Sequence, residues 1–381
     1  MTPLFEFRPG PRLVIGDGTL GRLGHLAREL GATRALITSD PGIVTAGHAA
    51  AGVAALAAAG VEADVFSGFG ENPTTSDVEA GTAMARGFRP DLLVGLGGGS
   101  SMDCAKGINF LLSCGGRMHD YKGRGTATGP MLPSLAVPTT AGTGSETQSF
   151  ALITDAETGI KMACGDPRAA FRIAILDVKL TLTQPARVAA LTGVDAVAHA
   201  VESLVSIAAT PASRMLSHEA WRLLARNLPR VLAAGDDIEA RAAVQLGAAW
   251  AGLAIENAML GAAHALANPL TAAHGVVHGQ AVGLALPHVV RLNGRDCGPA
   301  YAALLADIGI TACPNDAGTQ LAAWLDDLLA TAGLARSLTG LGIGSCDGPA
   351  LAAAAVAEWT AGFNPRPVTA GDLAALYEAM R

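Results

Sequence analysis

Asp195 and His199 stand four residues apart in Thr192-Gly193-Val194-Asp195-Ala196-Val197-Ala198-His199. On a helix that spacing puts both side chains on one face, about 5–6 Å apart at Cβ. Their neighbours are Val and Ala, so an acid and an imidazole share an apolar setting in which each needs a partner. His264 lies in Gly261-Ala262-Ala263-His264-Ala265-Leu266-Ala267-Asn268-Pro269, again among apolar residues. His274 and His278 repeat the i, i+4 spacing in Ala273-His274-Gly275-Val276-Val277-His278-Gly279. A lone histidine on an apolar face is usually a satisfied core residue, and Asp195 with His199 also fits a plain ion pair. One carboxylate with several imidazoles, however, is a donor set for Fe(II) or Zn(II). Spacing alone leaves open whether Asp195, His199, His264 and His278 converge. His25, His48, His119 and His218 sit in polar or amphipathic contexts and read as surface or packing residues, and His288 as structural.

A second kind of chemistry is suggested by glycine. Val94-Gly95-Leu96-Gly97-Gly98-Gly99-Ser100 leaves an apolar strand and enters a helix. A pyrophosphate needs backbone N–H groups at close range, which successive glycines and a helix N-terminus provide. Ser100 can cap that helix and reach a phosphate oxygen. The loop is neither GxGxxG nor a Walker A motif, and a tight strand-to-helix turn explains it equally well. Pro138-Thr139-Thr140-Ala141-Gly142-Thr143-Gly144-Ser145-Glu146 follows another strand, Leu135 to Val137. Two such loops at strand ends favour a dinucleotide. Asp40, ending a third strand, suits either an adenosine ribose, favouring NAD over NADP, or a helix cap before Pro41.

These groups need elements to carry them. Short apolar runs at 12–15, 35–38, 61–66 and 91–96 alternate with helical segments at 20–30, 47–59 and 102–110. That alternation predicts a parallel sheet covered on both faces. Beyond Gln184-Pro185 the strand signals stop. Helical spacing predicts helices at 186–206, 212–233, 238–268, 276–292, 298–308, 317–333, 349–360 and 369–380. The expected organisation is an α/β nucleotide-binding domain over 1–182 and an all-α domain over 183–381 that carries the histidines.

Composition narrows the function classes. Half of the 381 residues are hydrophobic and 15% are charged, which excludes disorder. A formal net charge of −7 argues against a protein that coats phosphate backbones. No unbroken apolar run reaches the roughly 18 residues of a membrane span; the richest, Leu246 to Leu270, is interrupted by Glu256, Asn257, His264 and Asn268. The first residues carry no signal-peptide pattern, and the six cysteines form no CxxC pair. The expectation is a cytoplasmic protein with reduced thiols and no nucleic-acid or membrane partner.

With these motifs in order, the chain resembles the iron-containing (group III) alcohol dehydrogenases over essentially its whole length. The resemblance is carried by Gly97-Gly98-Gly99-Ser100 with Asp103 and Lys106, by the loop 138–146, and by 192–202 from Thr192 to Glu202. It continues through His264-Ala265-Leu266-Ala267-Asn268-Pro269-Leu270, and then through His278-Gly279 to Leu284-Ala285-Leu286-Pro287-His288. It implies a Rossmann-like domain with a helical metal-binding domain, a dehydroquinate-synthase-like architecture. It further implies a metal, Fe(II) ahead of Zn(II), on Asp195, His199, His264 and His278, and a nicotinamide dinucleotide in the cleft between the domains. NAD is the expected cofactor, with NADP the second option. Its contacts would be Asp40, Asn72, Gly97, Gly98, Gly99, Ser100, Asp103, Thr139, Thr140, Thr143 and Lys161, the last on the strand hairpin after the threonine loop. A homodimer or larger homo-oligomer is implied.

The implied reaction is hydride transfer between an alcohol, expected to be primary, and the dinucleotide, giving an aldehyde or ketone. Many members carry a second His four residues after the first of the late histidines, where this chain has Asn268. That change leaves the metal set intact and makes His274 the nearest titratable candidate for proton relay. Two alternatives share the fold: a maleylacetate-reductase-like enzyme and a glycerol-dehydrogenase-like enzyme. A third, of another class, is a non-catalytic sensor of nucleotide or metal.

Overall fold

The fold is described from a computed structural model for residues 4–344 and 346–381. The chain divides into two compact units: Pro9–Gln184, and the described residues up to Arg8 together with Pro185–Arg381. The N-terminal segment joins the helical unit through Asn257, whose Oδ1 accepts from the Arg8 N–H at 2.8 Å and whose Nδ2 donates to the Arg8 carbonyl at 3.0 Å.

The first unit is the α/β one that the strand–helix alternation implies. Its strands are β1 (Arg12–Ile15), β2 (Arg34–Thr38), β3 (Glu62–Phe66), β4 (Leu92–Gly97), β5 (Gly123–Arg124), β6 (Ser134–Pro138), β7 (Phe150–Thr154), β8 (Lys161–Gly165) and β9 (Ile173–Leu176). Six of them form a parallel sheet in the order β1-β9-β6-β4-β2-β3. Every residue of β4 and β6 is buried, as expected of strands packed on both faces. From β2 the chain continues to one side of the sheet and from β4 to the other, so their carboxyl ends flank a topological switch point. The neighbouring registers Thr38↔Gly95 and Gly97↔Pro138 place Ser39-Asp40, the glycine loop and the threonine loop along one edge. β5, β8 and β7 form a separate three-stranded sheet.

The second unit is helical. Its longer helices are Ala186–Val205, Pro211–Ala233, Ile238–Glu256, Ala262–His274, His278–Asp307 and Pro314–Thr331, followed by Gly348–Ala357 and Ala370–Ala379. Two expectations are corrected. The single helix expected over 238–268 is two: it stops at Glu256, Met259 takes φ 88°, and a new helix starts after Gly261. The two helices expected over 276–292 and 298–308 are one, His278–Asp307, which runs through Pro299. Its buried face continues across the expected break, through Asn293, Gly294, Cys297, Gly298 and Tyr301. There Gly294 and Gly298 let the helix lie against Pro314–Thr331. A Cβ on Gly294 would come 3.0 Å from the Gly318 Cα, and one on Gly298 would come 2.2 Å from the Pro314 carbonyl oxygen.

Ala186–Val205 alone among the described helices is long and apolar enough to cross a membrane, yet 78% of its apolar window is buried inside the protein. Its cover includes the start of His278–Asp307. A Cβ on Gly279 would sit 2.3 Å from the Leu191 carbonyl oxygen, so these two helices touch backbone to backbone. Neither backbone can yield by a rotamer change. Gly279→Ala is therefore expected to force the helices apart and to cost roughly 1–3 kcal/mol, the usual range for overpacking. Urea unfolding monitored by circular dichroism measures it, and an unchanged midpoint would mean that the contact is loose.

Candidate functional site

The four residues that the resemblance implies as metal ligands come from three helices. Ala186–Val205 carries Asp195 and His199, Ala262–His274 carries His264 in its first turn, and His278 opens His278–Asp307. Asp195, His199 and His264 are buried, with 6%, 4% and 3% of their surface exposed. One ligand atom from each of these three lies within 4.8 Å of the others. The carboxylate is the hub. Asp195 Oδ1 is 3.4 Å from His199 Nε2, 3.4 Å from His264 Nε2 and 3.8 Å from His278 Nε2. The His264 ring stands 5.0 Å from that of His199 and 5.4 Å from that of His278, centroid to centroid. His278 forms the open side of the group, with about a third of its side chain exposed.

These distances test whether the residues fit a metal. Asp195 Oδ1 and His264 Nε2 are buried atoms without a hydrogen-bond partner. Such atoms are costly to leave unmatched inside a protein. Ligands bonded at about 2.1 Å to a tetrahedral cation stand about 3.4 Å from one another, the edge length of that tetrahedron. The observed separations of 3.4, 3.4 and 3.8 Å are too long for good hydrogen bonds and close to that edge. The donor set therefore fits a divalent transition metal better than it fits an ion-pair cluster. Burial by itself would raise the Asp195 carboxyl, but His199, His264 and His278 around it outweigh that and hold it well below the usual carboxylate range. At His264 burial opposes the charged imidazolium, and the Glu202 carboxylate, joined by Asp195, outweighs it and raises the imidazole.

In the α/β unit the glycine and threonine loops interlock. The Thr139 N–H donates to the Gly97 carbonyl at 2.9 Å. Gly97 has φ +149°, and a Cβ there would meet Ser101 Oγ at 2.2 Å. A Cβ on Gly98 or Gly99 would meet the side chain of Thr140 at 3.4 Å or of Thr143 at 2.9 Å. The hydroxyls of Ser39, Thr139 and Thr140 are buried without hydrogen-bond partners. Bare backbone and unmatched hydroxyls at the carboxyl ends of parallel strands fit a phosphate-bearing ligand. Asn72, at φ 56°, receives Lys161: Nζ donates to Asn72 Oδ1 at 2.7 Å, while the Asn72 N–H donates to Ser100 Oγ at 3.1 Å. Behind the loops lies an ionic anchor. Buried Lys106 donates to the Ser145 carbonyl, Ser145 Oγ and the Phe150 carbonyl at 2.7, 3.0 and 2.7 Å, and Ser145 Oγ donates to Asp103 Oδ1 at 2.7 Å. Burial raises the Asp103 carboxyl, offset in part by Lys106. Of the two options for Asp40, the helix cap is formed: Oδ1 accepts from the N–H groups of Gly42 and Ile43 at 3.0 and 3.2 Å, which leaves Oδ2 facing Ser101.

His274 is not brought to the metal-ligand group. It ends Ala262–His274 ten residues beyond His264, about 15 Å along the axis at 1.5 Å per residue. It is exposed, in a surface pocket with Arg187, Gln280, Leu341 and Ile343. From that position a relay through His274 would run through ordered water and not by direct hydrogen bonding to the ligand group. Asn268, one helical turn beyond His264, donates from Nδ2 to Glu358 Oε2 at 2.9 Å. Two residues had not been singled out for a role. Ser101 braces Asp40 against the glycine loop, donating to Oδ2 at 3.3 Å. Glu202 accepts from His264 Nδ1 at 2.5 Å. Its signal was present, since positions 195, 199 and 202 follow the i, i+4, i+7 stripe of a single helix face.

The profile of the family "Iron-containing alcohol dehydrogenase" matches residues 10–178, and that of "Fe-containing alcohol dehydrogenase family, C-terminal" matches residues 189–381. The 1,3-propanediol dehydrogenase of Klebsiella pneumoniae is 34% identical over 368 residues, covering 95% of each chain. The NAD-dependent methanol dehydrogenase of Bacillus methanolicus is 35% identical over 283 residues, covering 74% of each. Among solved structures, that of a 1,3-propanediol oxidoreductase superposes with a TM-score of 0.96 at 32% identity, covering 100% of both chains.

The anchor beneath the loops makes its own prediction. Lys106→Met keeps the length of the side chain but removes its hydrogen bonds to the Ser145 and Phe150 carbonyls and the positive charge that partly offsets the burial of Asp103. A loss of about 1–3 kcal/mol for each buried group left unmatched is expected. Denaturant titration checks it, and wild-type stability would show that water replaces the ammonium at no cost.

Proposed function

The chain belongs to the iron-containing alcohol dehydrogenase family, and on that basis we propose that it is a metal-dependent, NAD-linked oxidoreductase. It interconverts a primary alcohol and its aldehyde, Asp195, His199, His264 and His278 hold Fe(II), and Zn(II) is the alternative occupant. The observation that carries this reading is the buried Asp195 carboxylate, with three imidazole nitrogens at 3.4 to 3.8 Å from a single oxygen. The same four donors favour it over a metal-independent reductase of this fold.

When bound, the metal supplies Lewis acidity toward an alcohol oxygen, and the nicotinamide supplies a hydride acceptor. The protein's own part is to hold and orient. Asp195 stays ionised among the imidazoles and brings one negative charge to a 2+ ion. The exposed edge at His278 leaves a side of the cluster open to a small molecule. In the α/β unit, Gly97, Gly98 and Gly99 clear the backbone for the pyrophosphate, and Ser100, Thr139, Thr140 and Thr143 offer hydroxyls to it. Asn72 and Lys161 act as a hydrogen-bonded pair beside Ser100, and Asp103 supports the threonine loop through Ser145. Asp40 Oδ2, beyond the helix cap, stands where it would repel a 2′-phosphate, which favours NAD over NADP.

The finer setting follows from other features. All six cysteines are free thiols, which favours the cytoplasm. Leu4, Phe5 and Phe7 form an exposed apolar stretch, which favours a homodimer or larger assembly.

Two measurements test the proposal. Protein loaded separately with Fe(II) and Zn(II) is assayed against a panel of alcohols and aldehydes with NAD(H) and NADP(H). Turnover that needs both metal and NAD is expected, and His199→Ala should lose metal and activity together while keeping its circular dichroism. Full activity in metal-free His199→Ala would sink the metal assignment, and tight cofactor binding without turnover on any substrate would favour a sensor. Asp40→Ser retains a helix cap but removes the charge. It should raise kcat/KM for NADP relative to NAD, and an unchanged ratio would assign Asp40 to capping alone.

A further inference from the structure

Two loose ends of the helical unit meet at one carboxylate. The helix Ala262–His274 begins at Gly261, which offers no side chain to cap it, so its first N–H groups need partners from elsewhere. His264, in that first turn, has to present Nε2 to the cluster, which requires the proton to sit on Nδ1. Glu202 answers both. Oε1 accepts from the Ala263 N–H at 2.7 Å, and Oε2 lies 2.5 Å from His264 Nδ1. A carboxylate only accepts, so Nδ1 is the nitrogen that carries a proton toward Glu202, and Nε2 is the one left to face the cluster. Glu202 is itself buried, with 4% of its surface exposed. It lies on the same helix as Asp195 and His199, seven and three residues beyond them.

The space around it is as specific. A Cβ on Gly261 would lie 3.0 Å from Glu202 Oε1 and 3.3 Å from Asn364 Oδ1. Asn364 Oδ1 accepts from the Ala262 N–H at 3.4 Å and from Asn293 Nδ2 at 3.0 Å. The helix is thus capped from outside by two side chains, and one of them also orients the imidazole.

We infer that Glu202 is a positioning residue of the metal site, fixing the tautomer and the angle of His264 while capping the helix that carries it. This rests on the reading of Asp195, His199, His264 and His278 as metal ligands. Glu202 touches neither metal nor substrate, and acts by holding a ligand in place before the ion arrives. The four ligands are therefore unequal: Asp195 and His199 are set by one helix, while His264 keeps its geometry only as long as Glu202 bridges two helices.

The test is Co(II) binding to the full-length metal-free protein, read by the visible spectrum of the bound ion and by competition with a chelator. Glu202→Gln is expected to bind Co(II) about 10- to 100-fold more weakly, the usual effect of losing the partner of a ligating histidine. Its spectrum should be shifted, because the amide can present its NH2 where Nδ1–H needs an acceptor. Asp195→Ala is the control and should bind no Co(II). If Asp195→Ala loses the ion while folded Glu202→Gln keeps wild-type affinity and spectrum, the positioning role is overturned and the metal site stands. If the wild-type protein itself takes up no Co(II), the metal site falls and the inference falls with it. A merely structural role would lower the unfolding midpoint of the metal-free protein without moving affinity or spectrum, and that outcome also overturns the inference. Should Glu202→Gln not fold, Glu202→Asp replaces it. The shorter carboxylate cannot span both donors, so weaker Co(II) binding is again expected, and wild-type affinity overturns the role.

Discussion

The helical unit is organised around the cost of taking the Asp195 carboxylate out of water. A buried carboxylate without compensation is among the most expensive groups a fold can contain. Here the compensation comes from three helices: His199 on the same helix four residues on, His264 beyond the break at 257–261, and His278 at the head of the following helix. The break is needed for this. Had Ile238–Glu256 continued to 268, as its apolar pattern suggests, His264 would have lain far along a straight rod instead of in the first turn of a new helix. The close approach of Gly279 to the Leu191 carbonyl performs the matching service for His278.

The α/β unit solves a different problem with opposite means. Its loops expose backbone where the helical unit buries charge. Conformation matters most at Gly97, where φ +149° and the nearness of Ser101 both exclude a side chain. The loops keep their shape because Lys106 is neutralised underneath them by Asp103 through Ser145, and its ammonium lies 5.1 Å from the Phe171 ring centre. A fully buried lysine is tolerable only with such a set of acceptors. The anchoring ionic groups lie below the loops, and the surface left for a ligand is glycine and hydroxyl.

Much of this was legible in the sequence because it is periodic or compositional. Alternating strands and helices pointed to the parallel sheet, and an acid and imidazoles in apolar surroundings marked candidates, among which the family resemblance picked the four that meet at Asp195. What was not legible depends on tertiary contact. The helices expected at 276–292 and 298–308 are one, because Gly294 and Gly298 let a neighbouring helix cover the face that continues between them. His274 shares its i, i+4 spacing with His278, but Gly275 at φ 65° ends the helix between them. The two therefore never occupy the same helix face, and the spacing argument does not apply. Glu202 was visible as part of a helical stripe, but its partner His264 lies 62 residues away in sequence.

Three acidic side chains of the helical unit carry different duties, set by what each one faces. Asp195 faces three imidazole nitrogens with one oxygen and is kept ionised by them. Glu202 splits its two oxygens between a backbone N–H and an imidazole N–H, which orients without giving up its proton acceptors. Glu358 faces the amide of Asn268. An amide donates and accepts hydrogen bonds but does not pass a proton on at neutral pH. One turn beyond His264 the chain therefore holds a group that orients, where a titratable one would also relay. The polar lining of this helix face is thus fixed by hydrogen bonding to Glu358.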